Sequence, residues 1–233
     1  MSEMKSRIER VRNTIADACA RSGRDASAVT LIAVSKTRPA EDVAEAVACG
    51  VEHVGENRVQ EAADKAPRVH ELLGRDPVWH MIGVLQRNKV RQALGLFSVI
   101  HSVDSVRLAE ALAARAEDRR ITTLLEVYFG DDEARPGFRA DQLPEAVDRI
   151  AELSSLDVRG LMTVAPLGLS DDDTRGIFRR LRELRDMLGE RQPGLVLEHL
   201  SMGMTNDYAL AVEEGATLVR VGRAIFGERT ERT

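Results

Sequence analysis

The sequence predicts an α/β fold: a single (β/α)8 barrel with one extra helix in front. Three observations carry that expectation. Short apolar runs rich in β-branched residues alternate with amphipathic segments about eight times along the 233 residues, and such alternation demands a parallel sheet with right-handed crossovers. Hydrophobic residues make up 43% of the chain, enough for one sizeable core, and about eight units in roughly 250 residues is the size of a closed barrel. No Ser/Gly linker, low-complexity tract or charge block divides the chain, so residues 1–233 are expected to form one domain. A doubly wound open sheet shows the same alternation, and periodicity does not separate the two.

Each element follows from its local pattern. Met4, Ile8, Val11, Ile15 and Cys19 recur at spacings of three and four, one buried face of a helix that Gly23 is suited to stop. Residues 30–36, TLIAVSK, are nearly continuously apolar, as buried parallel strands are. Pro39 suits the first turn of the next helix, which closes at Gly50. Strands are expected at 53–57 and 79–83, and helices at 58–73 and about 86–94, the latter basic. The strand 98–103 leads to Asp104, placed to cap the helix after it. Strands at 122–129 and 158–167 each precede a loop and a helix, the first near 141–153. In the second loop Ser170 and Asp173 resemble a capping box with Asp in place of Glu, and the helix beyond should bury Ile177, Leu181, Leu184 and Leu188. Strands at 199–203 and 218–227 flank a last helix near 207–214.

Composition narrows the function classes. Thirty-three basic against 38 acidic side chains give a net charge of -5, which argues against nucleic acid or a membrane surface as partner. Aromatics at 3% are too few for base-stacking rows. Cys19 and Cys49 form neither a disulfide framework nor a metal-type spacing, so a reduced, cytoplasmic compartment is expected. Neither a signal-peptide run nor a membrane span of ~18 apolar residues is present in the sequence. His53, His70, His80, His101 and His199 are scattered and read as hydrogen-bonded core or surface imidazoles rather than metal ligands. The pairs Arg119-Arg120 and Arg179-Arg180 lie among acids and read as solvated helix faces.

In a (β/α)8 barrel the chemistry sits at the C-terminal strand ends and the loops after them. Lys36 ends the first strand, in AVSKTRP. A lysine emerging there is partly desolvated, which favours a neutral amine able to attack a carbonyl; an ordinary lysine snorkelling to solvent has the same pattern. At the seventh strand end, HLSMGMTND offers the Ser201 hydroxyl and a closely approachable backbone at Gly203. At the eighth, Gly222 sits where the chain leaves VRVGRAIFG. These two loops are where such barrels often bind phosphate, although turns needing unusual dihedrals use glycine for the same positions. Gly222 and Gly227 have P-loop spacing, but Glu228 stands where lysine is required. Arg220 shares a strand face with Leu218 and Gly222, where an unpaired arginine is costly, so a ligand or carboxylate partner is expected.

Six collinear motifs over nearly the whole chain, AVSKTRP, HVGENRVQEAADK, WHMIG-LQ-NK, IHSVDS, GLMT and LSMGMTNDYALAVEEGATLVRVG-AIFGER, resemble the YggS/PROSC family of pyridoxal 5'-phosphate homeostasis proteins. The resemblance implies a barrel like the alanine racemase N-terminal domain that binds pyridoxal 5'-phosphate, with Lys36 as the Schiff-base lysine. Ser201 and Gly222 would help hold the phosphate, Met202 and Gly203 would line its end of the site, Arg220 would face the pyridine nitrogen, and Asn57 would lie beside the ring. The chain departs from the family pattern at Val84, Arg87, Tyr128 and Arg223. The last stands where a threonine usually meets the phosphate, so it supplies either charge or only its N–H there.

An arginine at the ring nitrogen opposes the protonation that strengthens the cofactor as an electron sink. Racemases of this fold also carry it and compensate with an acid/base group from a second domain, for which these 233 residues leave no room. The expected function is therefore a carrier without robust catalysis: it buffers the free aldehyde and delivers it to dependent apoenzymes, as a monomer or a homodimer. A racemase with a base from a partner subunit is the alternative, and an aldolase using Lys36 directly is a third.

Overall fold

The computed structural model describes residues 2–132 and 134–228. Eight parallel strands pair in chain order and the eighth pairs back on the first, closing a barrel. They are β1 (Thr30–Val34), β2 (His53–Glu56), β3 (Val78–Met81), β4 (Val99–Val103), β5 (Ile121–Glu126), β6 (Leu156–Met162), β7 (His199–Ser201) and β8 (Leu218–Val221). The closing ladder sets Ile32 beside Arg220. An open sheet is thereby excluded.

Around it lie α1 (Glu3–Arg21), α2 (Ala40–Ala48), α3 (Val59–Leu73), α4 (Val90–Leu94), α5 (Val106–Ala113), α6 (Leu143–Ala151), α7 (Asp171–Arg191), α8 (Tyr208–Glu213) and α9 (Arg223–Phe226). The N-terminal helix buries the residues its spacing marked, is capped by Ser2 and ends before Gly23 at φ +68. It packs on α8, α9 and α2 and so covers the seam between β8 and β1. A four-residue α9 cannot cover that seam alone.

Most strands stop short of their apolar runs. The first ends at Val34, which leaves Lys36 two residues beyond it in a turn. Pro39 is the residue before the first helical turn rather than within it. The basic segment divides into a 3-10 turn at Arg87–Lys89 and a short α4. Ser105, not Asp104, caps α5: its hydroxyl accepts from the Leu108 N–H, while Asp104 accepts from the Ser105 hydroxyl. Ser170 and Asp173 do form the cap of α7, and the helix buries its four expected leucine and isoleucine positions. Arg179 belongs to an ion-pair cluster on the nearly buried Glu214, and Arg180 stacks on Phe129 at 4.7 Å, so that pair is not simply a solvated face.

Two layers make the core. Ala33, Leu125, Leu161 and Val219 pack in the main cluster between sheet and helices. Their chain neighbours Ile32, Leu124, Met162 and Leu218 form a separate cluster, and strand alternation puts that cluster inside the barrel. The same alternation sends His80, His101, Ser201 and Arg220 inward, since Trp79, Met81, Ile100, Leu200, Met202, Val219 and Val221 face the helices. Barrel interiors are ordinarily filled by branched apolar side chains; this one is half polar. Among the described residues no helix is long and apolar enough to cross a membrane.

Candidate functional site

The turn after β1 is held from both sides of Lys36. Ser35 is fully buried; its N–H donates to the Gly55 carbonyl at 3.0 Å and its hydroxyl to Glu56 Oε1 at 2.5 Å. Its carbonyl accepts from Lys65 Nζ at 2.9 Å. On the far side Thr37 sits at φ +65, costly for a β-branched residue, with its N–H donating to Glu61. Lys65, itself buried, joins the two halves through Glu56 at 2.6 Å and Glu61 at 3.2 Å. Burial pushes the Glu56 carboxyl up while the Lys65 ammonium draws it back. Between these anchors the Lys36 side chain is exposed, not partly desolvated as a strand-end position implied.

The opposite rim comes from the ends of β7 and β8. Gly203 is at φ +92, and a Cβ there would lie 2.6 Å from the Ala211 methyl, so the close approach of α8 requires glycine. Gly222 leaves β8 against the end of β1, where a Cβ would stand 3.2 Å from the Val34 carbonyl. Arg223 opens α9 with an exposed side chain whose guanidinium donates to Asn206 Oδ1 at 3.2 Å. The N–H groups of Arg223 and Ala224 donate to no backbone carbonyl among the described residues, as expected at a helix start. Lys36, Gly222 and Arg223 together line an open groove of about 1440 Å³, with Arg38 and Thr37 beside them.

The other expected residues lie deeper. Arg220, 3% exposed, donates from Nη1 to Ser201 Oγ at 2.5 Å and from Nη2 to the Thr163 carbonyl at 2.8 Å. These two neutral partners replace the close carboxylate expected for it. Burial draws the guanidinium down to about 10, with Glu126 and Asp207 acting against that, so it stays charged at neutral pH. Ser201 is fully buried and its hydroxyl is engaged by Arg220 and His101. Met202 points into the apolar core, which leaves only its backbone for the rim. Asn57 follows the end of β2 and is half-buried, with its backbone so close to Gly83 that a Cβ on Gly83 would fall 2.4 Å from the Asn57 carbonyl.

Sequence reasoning missed the groups behind this rim. Glu56, Glu61 and Lys65 stand in a motif but were assigned no role, although a carboxylate in a buried strand signals a paired charge. Glu126 faces inward at the end of β5, and its carboxyl is pushed up to about 7 by burial and by Asp104, against the pull of Arg220 and Arg135. The histidines that look scattered along the chain come together: His53 Nδ1 is 2.9 Å from His80 Nε2, and His80 Nδ1 is 2.8 Å from His101 Nε2.

Over residues 8–230 the chain matches the family described as alanine racemase, N-terminal domain. It is 43% identical over 225 residues to the pyridoxal phosphate homeostasis protein of Aquifex aeolicus, covering 96% of this chain and 97% of that protein. The chain belongs to the pyridoxal phosphate homeostasis family. PipY of Synechococcus elongatus, in a structure with PLP bound, has a TM-score of 0.82 at 43% identity and covers 91% of this family member and 100% of PipY. An alanine racemase from Clostridium difficile shares the fold alone, at 15% identity and a TM-score of 0.69, and the match spans 94% of this chain and 56% of the racemase.

Proposed function

We propose that this protein binds pyridoxal 5'-phosphate reversibly at the groove that the β1 turn forms with the end of β8 and the start of α9, buffers the free aldehyde and passes it to dependent apoenzymes, without sustained catalysis of its own. The observation that carries this reading is the exposed amine of Lys36 lining one groove with Gly222 and Arg223. When bound, the group supplies an aldehyde that condenses reversibly with a primary amine.

The residues fit such a group. Lys36 provides the amine, on a turn whose backbone is tied down on both sides. The N–H groups of Arg223 and Ala224, which meet no backbone acceptor among the described residues, offer donors with the Arg223 charge to a dianionic phosphate at the facing rim. Gly203 and Gly222 shape the facing rim by letting α8 and the end of β1 come close, with Ser201 and Met202 buried just before Gly203 in the chain. Arg220 has donors and no acceptor; beside a pyridine nitrogen it would leave that nitrogen unprotonated and the ring a weak electron sink. Exposure of Lys36 suits a carrier, because incoming amines can reach the same carbon.

Relatives named for homeostasis support the carrier role, and the PLP-bound PipY supports the ligand. One observation favours the racemase reading instead: Glu126 faces the barrel interior with a carboxyl that titrates near 7, as a second acid/base would. Sustained turnover of an amino acid, lost in Lys36→Ala and in Glu126→Gln, would establish it. The carrier itself is tested by borohydride reduction of cofactor-treated protein followed by peptide mapping. A phosphopyridoxyl adduct on Lys36 is expected; cofactor-treated protein with Lys36 unmodified would overturn the proposal.

A further inference from the structure

Three imidazoles, one hydroxyl and one guanidinium run in single file across the barrel interior. His53 opens β2 at the base of the barrel and is half-buried. From it the file passes to His80 on β3 at 2.9 Å, to His101 on β4 at 2.8 Å, to Ser201 on β7 at 2.9 Å and to Arg220 on β8 at 2.5 Å. The link from β4 to β7 joins strands that are not neighbours in the sheet, so it crosses the lumen. Four of the five side chains are at most 3% exposed, where an unpaired polar atom is costly.

The chemistry gives this file one direction. Arg220 only donates, so Ser201 Oγ accepts from it. The single proton of Ser201 then has His101 Nδ1 as its acceptor, which places the His101 proton on Nε2. That proton goes to His80 Nδ1, and the Nε2 proton of His80 goes to His53 Nδ1. Every imidazole is then neutral, with its proton on Nε2. An added proton on Nδ1 of His53 or His80 would set N–H against N–H, and one on Nδ1 of His101 would take away the acceptor of the Ser201 hydroxyl proton.

We propose that His53, His80 and His101 are positioning residues: a one-directional chain of neutral imidazoles that orients the Ser201 hydroxyl and thereby holds the Arg220 guanidinium in the barrel interior. That Arg220 is held for a cofactor rests on the function proposed above; the chain itself does not. Charged groups around it agree with neutrality. Burial foremost disfavours an added proton on His80 or His101, as do His53 and His199 and, for His101, Arg220. Glu52 favours a proton at His53, but burial outweighs it. Glu126 and Asp207 face Arg220, and His199 is further set by Glu198 and Arg159.

The test reads ring nitrogens directly. In cofactor-free protein labelled with 15N-histidine, long-range correlation spectra should show His53, His80 and His101 protonated on Nε2, with His80 and His101 unchanged from pH 8 to pH 5. An Nδ1-protonated His101, or a His101 that titrates in that range, would overturn the proposal without any variant being made. For the positioning role, Arg220 should give separate Nη1 proton signals in the wild type, because rotation about that bond is blocked. His101→Leu should average them, and His101→Gln, which keeps an acceptor within reach of Ser201, should restore them. Arg220 signals untouched by His101→Leu would reduce the imidazoles to filling. Borohydride trapping at Lys36 is a separate arm: ordered tautomers without an adduct support the chain and sink the cofactor reading, and an adduct with disordered tautomers does the reverse.

Discussion

Lys36 and Arg223 are both exposed, and their exposure limits what each can contribute. An exposed charge contact is worth roughly 0–1 kcal/mol, so Arg223→Thr, which restores the hydroxyl usual in the family, should change cofactor affinity by no more than about fivefold. An absorbance titration of the bound cofactor measures it. Glu126 is the opposite case, a carboxyl held inside the mouth. Its folded value of about 7 lies above the ordinary carboxylate range, so the folded protein binds a proton there that the unfolded chain releases. Stability attributable to Glu126 is therefore fully present below about pH 4.5 and falls as pH rises toward 7. Glu126→Gln should accordingly stabilise at pH 8 and not at pH 4, and carboxyl 13C shifts should lose a titration centred near 7.

At the scale of elements, the β1 turn and the start of α3 behave as one unit, joined by Lys65. Removing one partner of a buried ion pair leaves the other charge uncompensated, at a cost of about 3–5 kcal/mol. Lys65→Met should therefore destabilise by that amount in urea unfolding, and Lys65→Met with Glu56→Gln by much less. The elements were legible because buried parallel strands are apolar throughout and helices are not. Their ends were less so. The apolar run of β7 continues into Met202, whose N–H still donates to the Leu218 carbonyl at 3.2 Å although the strand ends at Ser201, and nothing in the residues marks that end. At Asp104 and Ser105 two good caps are adjacent, and the geometry of the turn decides between them.

The whole barrel explains why part of the candidate site was legible in the sequence and part was not. Lys36, Gly222 and Arg223 sit in local motifs at strand ends, and barrel topology alone brings them to one rim. The imidazole file instead joins residues as much as 100 positions apart, and no local pattern records which inward-facing polar side chains will meet. Its one trace in the sequence is the presence of histidine in otherwise apolar strands. The file also sets the acid limit of the fold. Folded His80 is drawn down to about 3, chiefly by burial, and His101 well below its ordinary value, whereas both accept protons near 6.5 once unfolded. The folded state thus binds fewer protons below pH 6.5, and stability is lost as pH falls from there toward 3. Two such groups give a limiting slope of about 2.7 kcal/mol per pH unit. His80→Gln should lower the slope by about half of that, as read by urea midpoints between pH 6 and pH 4.

The ladder between the first strand and the last has a consequence for how the protein is made. Val34 and Gly222 meet only when β8 docks on β1, nearly 190 residues after the first of them leaves the ribosome. Until then Lys36 and the turn at Gly222 and Arg223 belong to separate stretches of chain, and the groove they line does not exist. If the proposed function holds, capture of the vitamin is postponed to the final act of assembly.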